Sequence, residues 1–230
     1  MAAVADHLIF HLSAAMGAMG EFAGHERRGS LIWPGRSAVI GLLGAAMGIR
    51  RDGDFSALDR LRMAVAIFQP GEVMRDYHTV QTVPAARARR PQSRPDALRQ
   101  AGRDANTTIT LRDYRMGVLY GVAVWGGDLA AIADALRRPV FTLYLGRKSC
   151  PLAAPVDPRI VGADTAQAAL GQLRLPVWHR GARAVLMASD DAQGVPMLQR
   201  HDVPTDRARW HFAPRQVGMV TVDITPEVAQ

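Results

Sequence analysis

Apolar residues alternate, then crowd, then alternate again along this chain. In residues 4–13 (VADHLIFHLS) Leu8, Phe10 and Leu12 recur at every second position, the period of a strand with one buried face, and predict a first strand there. A glycine-rich loop from Gly17 to Gly35 follows. The run from Ser37 to Ile49 predicts a helix, with Ser37 as its N-cap and the Asp52-Gly53 turn just beyond its end. Gly41, Gly44 and Gly48 are spaced three and four apart and so share one face. An interior glycine costs about 1 kcal/mol relative to alanine, so a face without side chains points to close packing against another element.

A short helix around Phe55 to Arg62 leads into a second strand, MAVAIFQP, and a third extended segment at 72–81, EVMRDYHTVQ. The stretch 82–106 has no hydrophobic period and no hairpin signature, and is expected to be a long insertion, mobile until it meets a partner. Residues 107–127 are strand-like throughout. Residues 128–139 form an amphipathic helix pattern with Leu129, Ile132, Ala133 and Leu136 on one stripe and a proline stop, and VFTLYLG (140–146) is the next expected strand. The order β-α-β-β-α-β predicts an α+β, ferredoxin-like arrangement. Beyond Pro158 the pattern weakens to a short helix around Thr165 to Leu173 and strand-like pieces at 183–188 and 217–224.

Composition narrows the class. A chain of 230 residues, 48% hydrophobic and 21% charged, is an ordinary globular protein of one large or two small domains. The first strand-like run holds Asp6, His7 and His11, so no signal peptide is expected. The longest apolar stretch, bounded by Arg36 and Arg50, is shorter than the roughly 20 residues that span a bilayer, and a soluble cytoplasmic protein is expected. Cys150 stands alone and is expected to be a packing residue. The seven histidines show no metal-ligand spacing, and no glycine-rich nucleotide loop follows a strand, so neither a metal nor a cofactor is expected.

Charge changes the picture most. The net charge is +7, and Lys148 is the one lysine among 28 basic residues. Between Thr82 and Arg115 lie eight arginines against Asp96, Asp104 and Asp113, a net of +5. Arginine's planar fork donates two hydrogen bonds at once to a phosphate, so the block points to a polyanion, and to nucleic acid first.

Three segments, GLLGAAMGI (41–49), RDYHTV (75–80) and YLGRKSCPL (144–152), together resemble the CRISPR-associated Cas-five family in its subtype I-E branch. WPGRS (33–37) matches the aromatic-Pro-x-basic-Ser pattern that leads into the family's first helix, and TLRDY (110–114) the segment returning from its protruding thumb. RARWHFAPRQ (207–216) is weakly similar to the C-terminal end. The resemblance spans roughly residues 4–158. MGAMGEF (16–22) departs from the Gln-x-Trp-Gly turn that many relatives carry after strand one.

The resemblance implies an RRM-like core over 1–158, with an arginine-rich thumb inserted at about 82–112, and a small, mostly β C-terminal region over 159–230. It implies binding of the 5′ handle of CRISPR RNA at one end of the Cascade backbone. Contacts are expected with the neighbouring backbone subunit and the large PAM-reading subunit, and with target DNA only through the complex. No membrane is involved. Another subunit cuts the RNA in subtype I-E, so this one is expected to be non-catalytic.

The candidate RNA contacts are Arg87, Arg89, Arg90 and Arg94 in the thumb, with Arg112 and Arg115 on the returning strand. Arg112 is the strongest, since it matches the Arg-[Asp/Glu]-Tyr after the thumb. Arg147, Lys148 and Ser149, at a glycine turn, offer charge-assisted bonds to phosphate, or else hold their own loops. Tyr77 and His78 offer a stacking ring and a donor. Arg36 and Ser37 at a helix start are candidates for an anion, with Arg27 and Arg28 nearby; an ion pair between subunits fits equally. The alternative is a metal-independent endoribonuclease, as in subtype I-C relatives, with His78 as general base, Lys148 stabilising the phosphorane and Tyr77 beside them. A protein-interaction module is the third reading.

Overall fold

Strand β5 (Asn106–Trp125) runs through most of the architecture. The structure is a computed structural model, and it describes residues 4–20, 26–192 and 194–228. The C-terminal half of β5 lies between β1 (Ala5–Gly17) and β3 (Arg62–Gln69), both antiparallel to it, with Tyr120 opposite Leu12 on one side and Ile67 on the other. Its N-terminal half leaves the body and pairs with β4 (Glu72–Thr82), from Glu72 opposite Met116 to Thr82 opposite Asn106. A two-residue strand, β2 (Arg27–Arg28), runs parallel beside Leu111 and Arg112. Strand β6 (Arg159–Ala163) extends the sheet beyond β1, while β8 (Ala184–Ser189), β10 (His211–Ile224) and β9 (Met197–Asp206) extend it beyond β3. The result is a mixed α+β fold on one large, mainly antiparallel sheet.

Alternation along the strands creates two cores. Phe10, Leu12, Val65, Tyr120 and Val122 face α1 (Arg36–Ala46) and α4 (Leu129–Arg137). Ile9, Ala64, Ala66, Leu119 and Ala123 face the other way, under α5 (Ala166–Leu170) and Leu173 and Leu175. Burial on both faces explains why β3 and the inner half of β5 read as near-continuous apolar runs. In α4 the Asp128 carboxylate caps Ala131 N, and the expected stripe of Leu129, Ile132, Ala133 and Leu136 is buried.

Several expectations are corrected. Residues 140–146 are not a strand. Val140 N donates to Ala46 O and Phe141 N to Ala45 O, so these amides satisfy the C-terminal carbonyls of α1 and do not join a ladder. The place beside β1 is taken by β6 instead. The N-cap of α1 is Gly35, not Ser37, and the capping oxygen comes from Asp202, which accepts from Arg36 N at 2.7 Å. The stretch 82–106 is ordered: α3 (Arg94–Ala101) starts at Ser93, whose Oγ accepts from Asp96 N, between single 3-10 turns at Ala85–Arg87 and Gly102–Asp104.

The three glycines around α1 have separate reasons. A Cβ on Gly44 would lie 2.4 Å from the Phe55 ring, Gly48 takes φ +76° just past the helix end, and Gly41 faces open space. Strand β9 had no counterpart in the apolar pattern. Residues on both sides of position 158 pair within one sheet. The departure after strand one runs into residues 21–25, outside the described residues. Among the described residues no helix is long and apolar enough to cross a membrane.

Candidate nucleic-acid interface

Beyond the body, β4 and the outer half of β5 form a two-stranded ribbon about 35 Å long at ~3.3 Å per residue. Each strand carries the dipeptide Arg-Asp, at 75–76 and 112–113. The antiparallel register sets each arginine opposite the other strand's aspartate, Arg75 facing Asp113 and Asp76 facing Arg112. That symmetry is readable in the sequence and would have fixed the register beforehand.

The two pairs are used differently. Arg75 grips Asp113 with both Nε (2.7 Å) and Nη2 (3.2 Å), and Arg27 adds a third bond at 3.2 Å. The hydrogen bond from Arg75 pulls the buried Asp113 carboxyl below its ordinary value against the opposing effect of burial, and Arg27 pulls further. With Leu111 N donating to Glu26 O at 2.7 Å, these contacts tie the 26–28 segment to the ribbon base. Arg75 and Asp113 are functional-looking residues that the sequence reading had left aside. Arg112, by contrast, closes no bond with Asp76, and its Nε is buried without a partner.

Successive residues of a strand point to opposite faces, which separates two candidates. Val73, Arg75 and Tyr77 stand on one face with Arg115, Asp113 and Leu111; Met74, Asp76 and His78 stand on the other with Tyr114, Arg112 and Thr110. Tyr77 and His78 therefore cannot act on one atom, and the Tyr77, His78, Lys148 constellation is not assembled. Arg147 lies 4.6 Å over the Tyr114 ring, which brings the 147–149 loop to the base of the face carrying Arg112 and His78. Lys148 and Ser149 are exposed there, and Arg147 Nη1 is buried without a partner. Gly146 makes that loop: its φ is +86°, and a Cβ there would collide with the Ala18 carbonyl. Cys150 is buried beneath, and burial pushes its thiol pKa up, as suits a packing residue.

The remaining arginines divide by partner. In the thumb, Arg87 meets Asp104 at 3.5 Å and Arg94 donates to Gln81 O at 2.6 Å, while Arg89 and Arg90 are exposed with no ion pair. Arg115 donates through Nη1 to Gly71 O and keeps a buried, unpartnered Nε. Arg28 is exposed beside the ribbon. The expectation for Arg36 is corrected: its buried guanidinium bonds Asp190 (3.1 Å) and Asp59 O (2.8 Å), so it is consumed inside the fold. Ser37 is half-buried in the first turn of α1. Arg200, missed in the sequence, lies 4.6 Å over the Trp33 ring, and only the tertiary fold brings the two together. Among the described residues no group of three His, Cys, Asp or Glu side chains is placed to hold a metal.

A mixed α+β body with an arginine-bearing ribbon is an architecture known among proteins of CRISPR systems. The family described as "CRISPR-associated protein (Cas_Cas5)" matches residues 7–218, and the chain belongs to that family. It is 32% identical over 169 residues, 66% of this chain and 69% of the relative, to "CRISPR system Cascade subunit CasD" of Escherichia coli (strain K12). A solved structure described as "CRISPR RNA-guided surveillance complex" aligns with a TM-score of 0.73 and 28% identity over 97% of this chain and 93% of that one. Another, "Crystal structure of Cas protein", shares the fold at a TM-score of 0.66 and 24% identity, over 96% and 98% of the two chains.

Proposed function

We propose that this chain is the subunit of a type I-E Cascade complex that holds the 5′ handle of the CRISPR RNA, caps one end of the backbone and cuts nothing. The observation that carries this is the set of unpartnered arginine donors on the ribbon and at its base, at Arg89, Arg90, Arg112, Arg115 and Arg147, in a chain so similar to a Cascade subunit. Guanidinium nitrogens left without protein acceptors are suited to phosphate oxygens and 2′-hydroxyls of single-stranded RNA. The thumb, about 82–112, grips the RNA; Lys148 and Ser149 add donors below it, and Tyr77 offers a stacking ring on the far face. The neighbouring backbone subunit and the large PAM-reading subunit meet the chain around this grip. Strands β1, β3, β5 and β6 with α1 and α4 are the ferredoxin-like unit, over 1–158, and the region 159–230 buttresses it.

A salt titration of binding to labelled repeat RNA tests the grip. Each phosphate neutralised on a single strand contributes a slope of about −0.7 to log K against log salt. Replacing Arg87, Arg89, Arg90 and Arg112 by alanine should flatten the slope by roughly 2 to 3, less to the extent that Asp104 already neutralises Arg87. An unchanged slope refutes the thumb as the grip. Incubation with the same RNA in EDTA should leave it intact, and cleavage at one site would establish the endoribonuclease instead.

A further inference from the structure

A cleft of about 470 Å³ opens where the ribbon leaves the body, within the ~300–1,000 Å³ of sites that enclose a small planar ligand. Its apolar surface comes from Leu31, Leu186, Leu198 and Met219, and its polar side from Arg115 and Arg200. We propose that this cleft reads the identity of one unstacked base of the bound RNA, and that its preferred occupant is guanine. The inference rests on the RNA-binding reading above and adds sequence specificity to it, which phosphate contacts cannot supply.

Three observations carry it. No carboxylate lines the cleft, so nothing there neutralises the two arginines. Each arginine is pre-positioned, Arg200 by stacking 4.6 Å over Trp33 and Arg115 by its bond to Gly71 O, and each keeps a buried Nε without a partner. The one hydroxyl in the lining, Ser30 Oγ, already accepts from Met19 N at 3.0 Å. The cleft therefore presents donors beside an apolar surface. A phosphate would satisfy the donors and leave Leu186, Leu198 and Met219 facing a charge, whereas a base satisfies both, with its flat face on the apolar side and an acceptor edge towards the arginines. Guanine offers O6 and N7 side by side, the pair that arginine recognises most often. Adenine replaces one of these acceptors with an amino donor that would face a guanidinium. Cytosine offers O2 and N3 but covers less of the apolar surface. Arg115 belongs to both ribbon and cleft, so a strand held by the thumb passes the cleft mouth.

The probe is a short randomised single-stranded RNA library, selected on the full-length chain and on its Arg200→Lys variant, followed by binding titrations of the winning sequence and its single-base variants. The expected result is one position enriched in guanine, where adenine weakens binding about 5- to 150-fold. Arg200→Lys, which keeps the charge and loses the planar fork, should abolish that preference and leave the salt slope and the melting temperature where they were. Steep salt-dependent binding with no guanine preference at any position overturns base reading and leaves the RNA grip standing. Absence of salt-dependent RNA binding overturns the grip itself. If Arg200→Lys retains the preference and instead blocks assembly with neighbouring subunits, the cleft is a protein contact and base reading is overturned.

Discussion

Asp202 is the residue on which the position of α1 turns. Its Oδ2 accepts from Arg36 N at 2.7 Å, while Arg215 donates Nε to Oδ1 at 2.6 Å and Nη2 to Oδ2 at 3.2 Å. Arg215 and Arg36 both reach on to Asp190, which also accepts from Met63 N. All four side chains of this network are 15% exposed or less, so solvent screens them little. Asp202→Ala removes three bonds to a buried carboxylate and leaves Arg215 with Asp190 alone. Breaking a buried pair on one side costs about 3–5 kcal/mol, and the surviving Asp190 contact puts the expected loss near ~3 kcal/mol. Asp202→Asn keeps an acceptor for the Arg36 amide and removes only charge, for about 1–2 kcal/mol, since the cap alone contributes ~1 kcal/mol. Urea unfolding is the assay: with a slope near ~3 kcal/mol/M, Asp202→Ala should move the midpoint down by about 1 M. A midpoint within ~0.2 M of the parent would refute the reasoning, because an inert substitution there means the network holds nothing. Arg36→Met should likewise lower the midpoint and leave the salt slope of RNA binding untouched, as expected of a residue consumed inside the fold.

Gly146→Ala should cost at least ~2 kcal/mol, from the left-handed backbone and the collision with Ala18 O; at about 2–4 °C per kcal/mol, a melting temperature lowered by less than ~2 °C would contradict that geometry. Asp113→Asn should free Arg75 and Arg27 and speed amide exchange at 72–76 and 112–116, with α3 at the thumb tip unchanged. Because the folded Asp113 has a depressed pKa, its anchoring is fully present above the ordinary carboxylate value and is lost as pH falls through the folded one; the parent should then exchange like the variant, and a ribbon equally protected in both would refute the anchor. Burial lowers the pKa of His11, with Asp157 opposing and His179 reinforcing, and burial lowers that of His179. Unfolded histidines take up protons near pH 6.5 while these resist, so stability should fall as pH drops through that value and level off below the folded pKa. His11→Phe should reduce this slope, as read by urea midpoints between pH 8 and 5, and an unaltered slope would count against His11.

What is local in this chain was legible before folding. Leu8, Phe10 and Leu12 mark β1 by their period; Asp128 and the Leu129–Leu136 stripe mark α4; and the clustering of arginine between residues 82 and 115 announces a polyanion site. Even α3 was readable, since Ser93, Pro95, Asp96 and Gly102 are start and stop signals, but the arginine content of the stretch masked them. The matched Arg-Asp dipeptides carried the ribbon's register in plain view.

Tertiary structure decided the rest, because an amide or a charge takes whichever partner the fold brings to it. The run at 140–146 has a strand's composition, yet its amides reach the end of α1 before any neighbouring strand reaches them. Arg36 and Arg112 are alike in sequence terms; Asp190, from a distant strand's end, absorbs the first, and nothing absorbs the second. Trp33 and Arg200 lie far apart in the chain and share one cleft only because the β9–β10 hairpin packs beside the loop before α1. Composition alone established how much positive charge the chain carries. Only the three-dimensional pairing determined which of those charges remain available to a ligand, because that depends on acceptors contributed from remote parts of the chain.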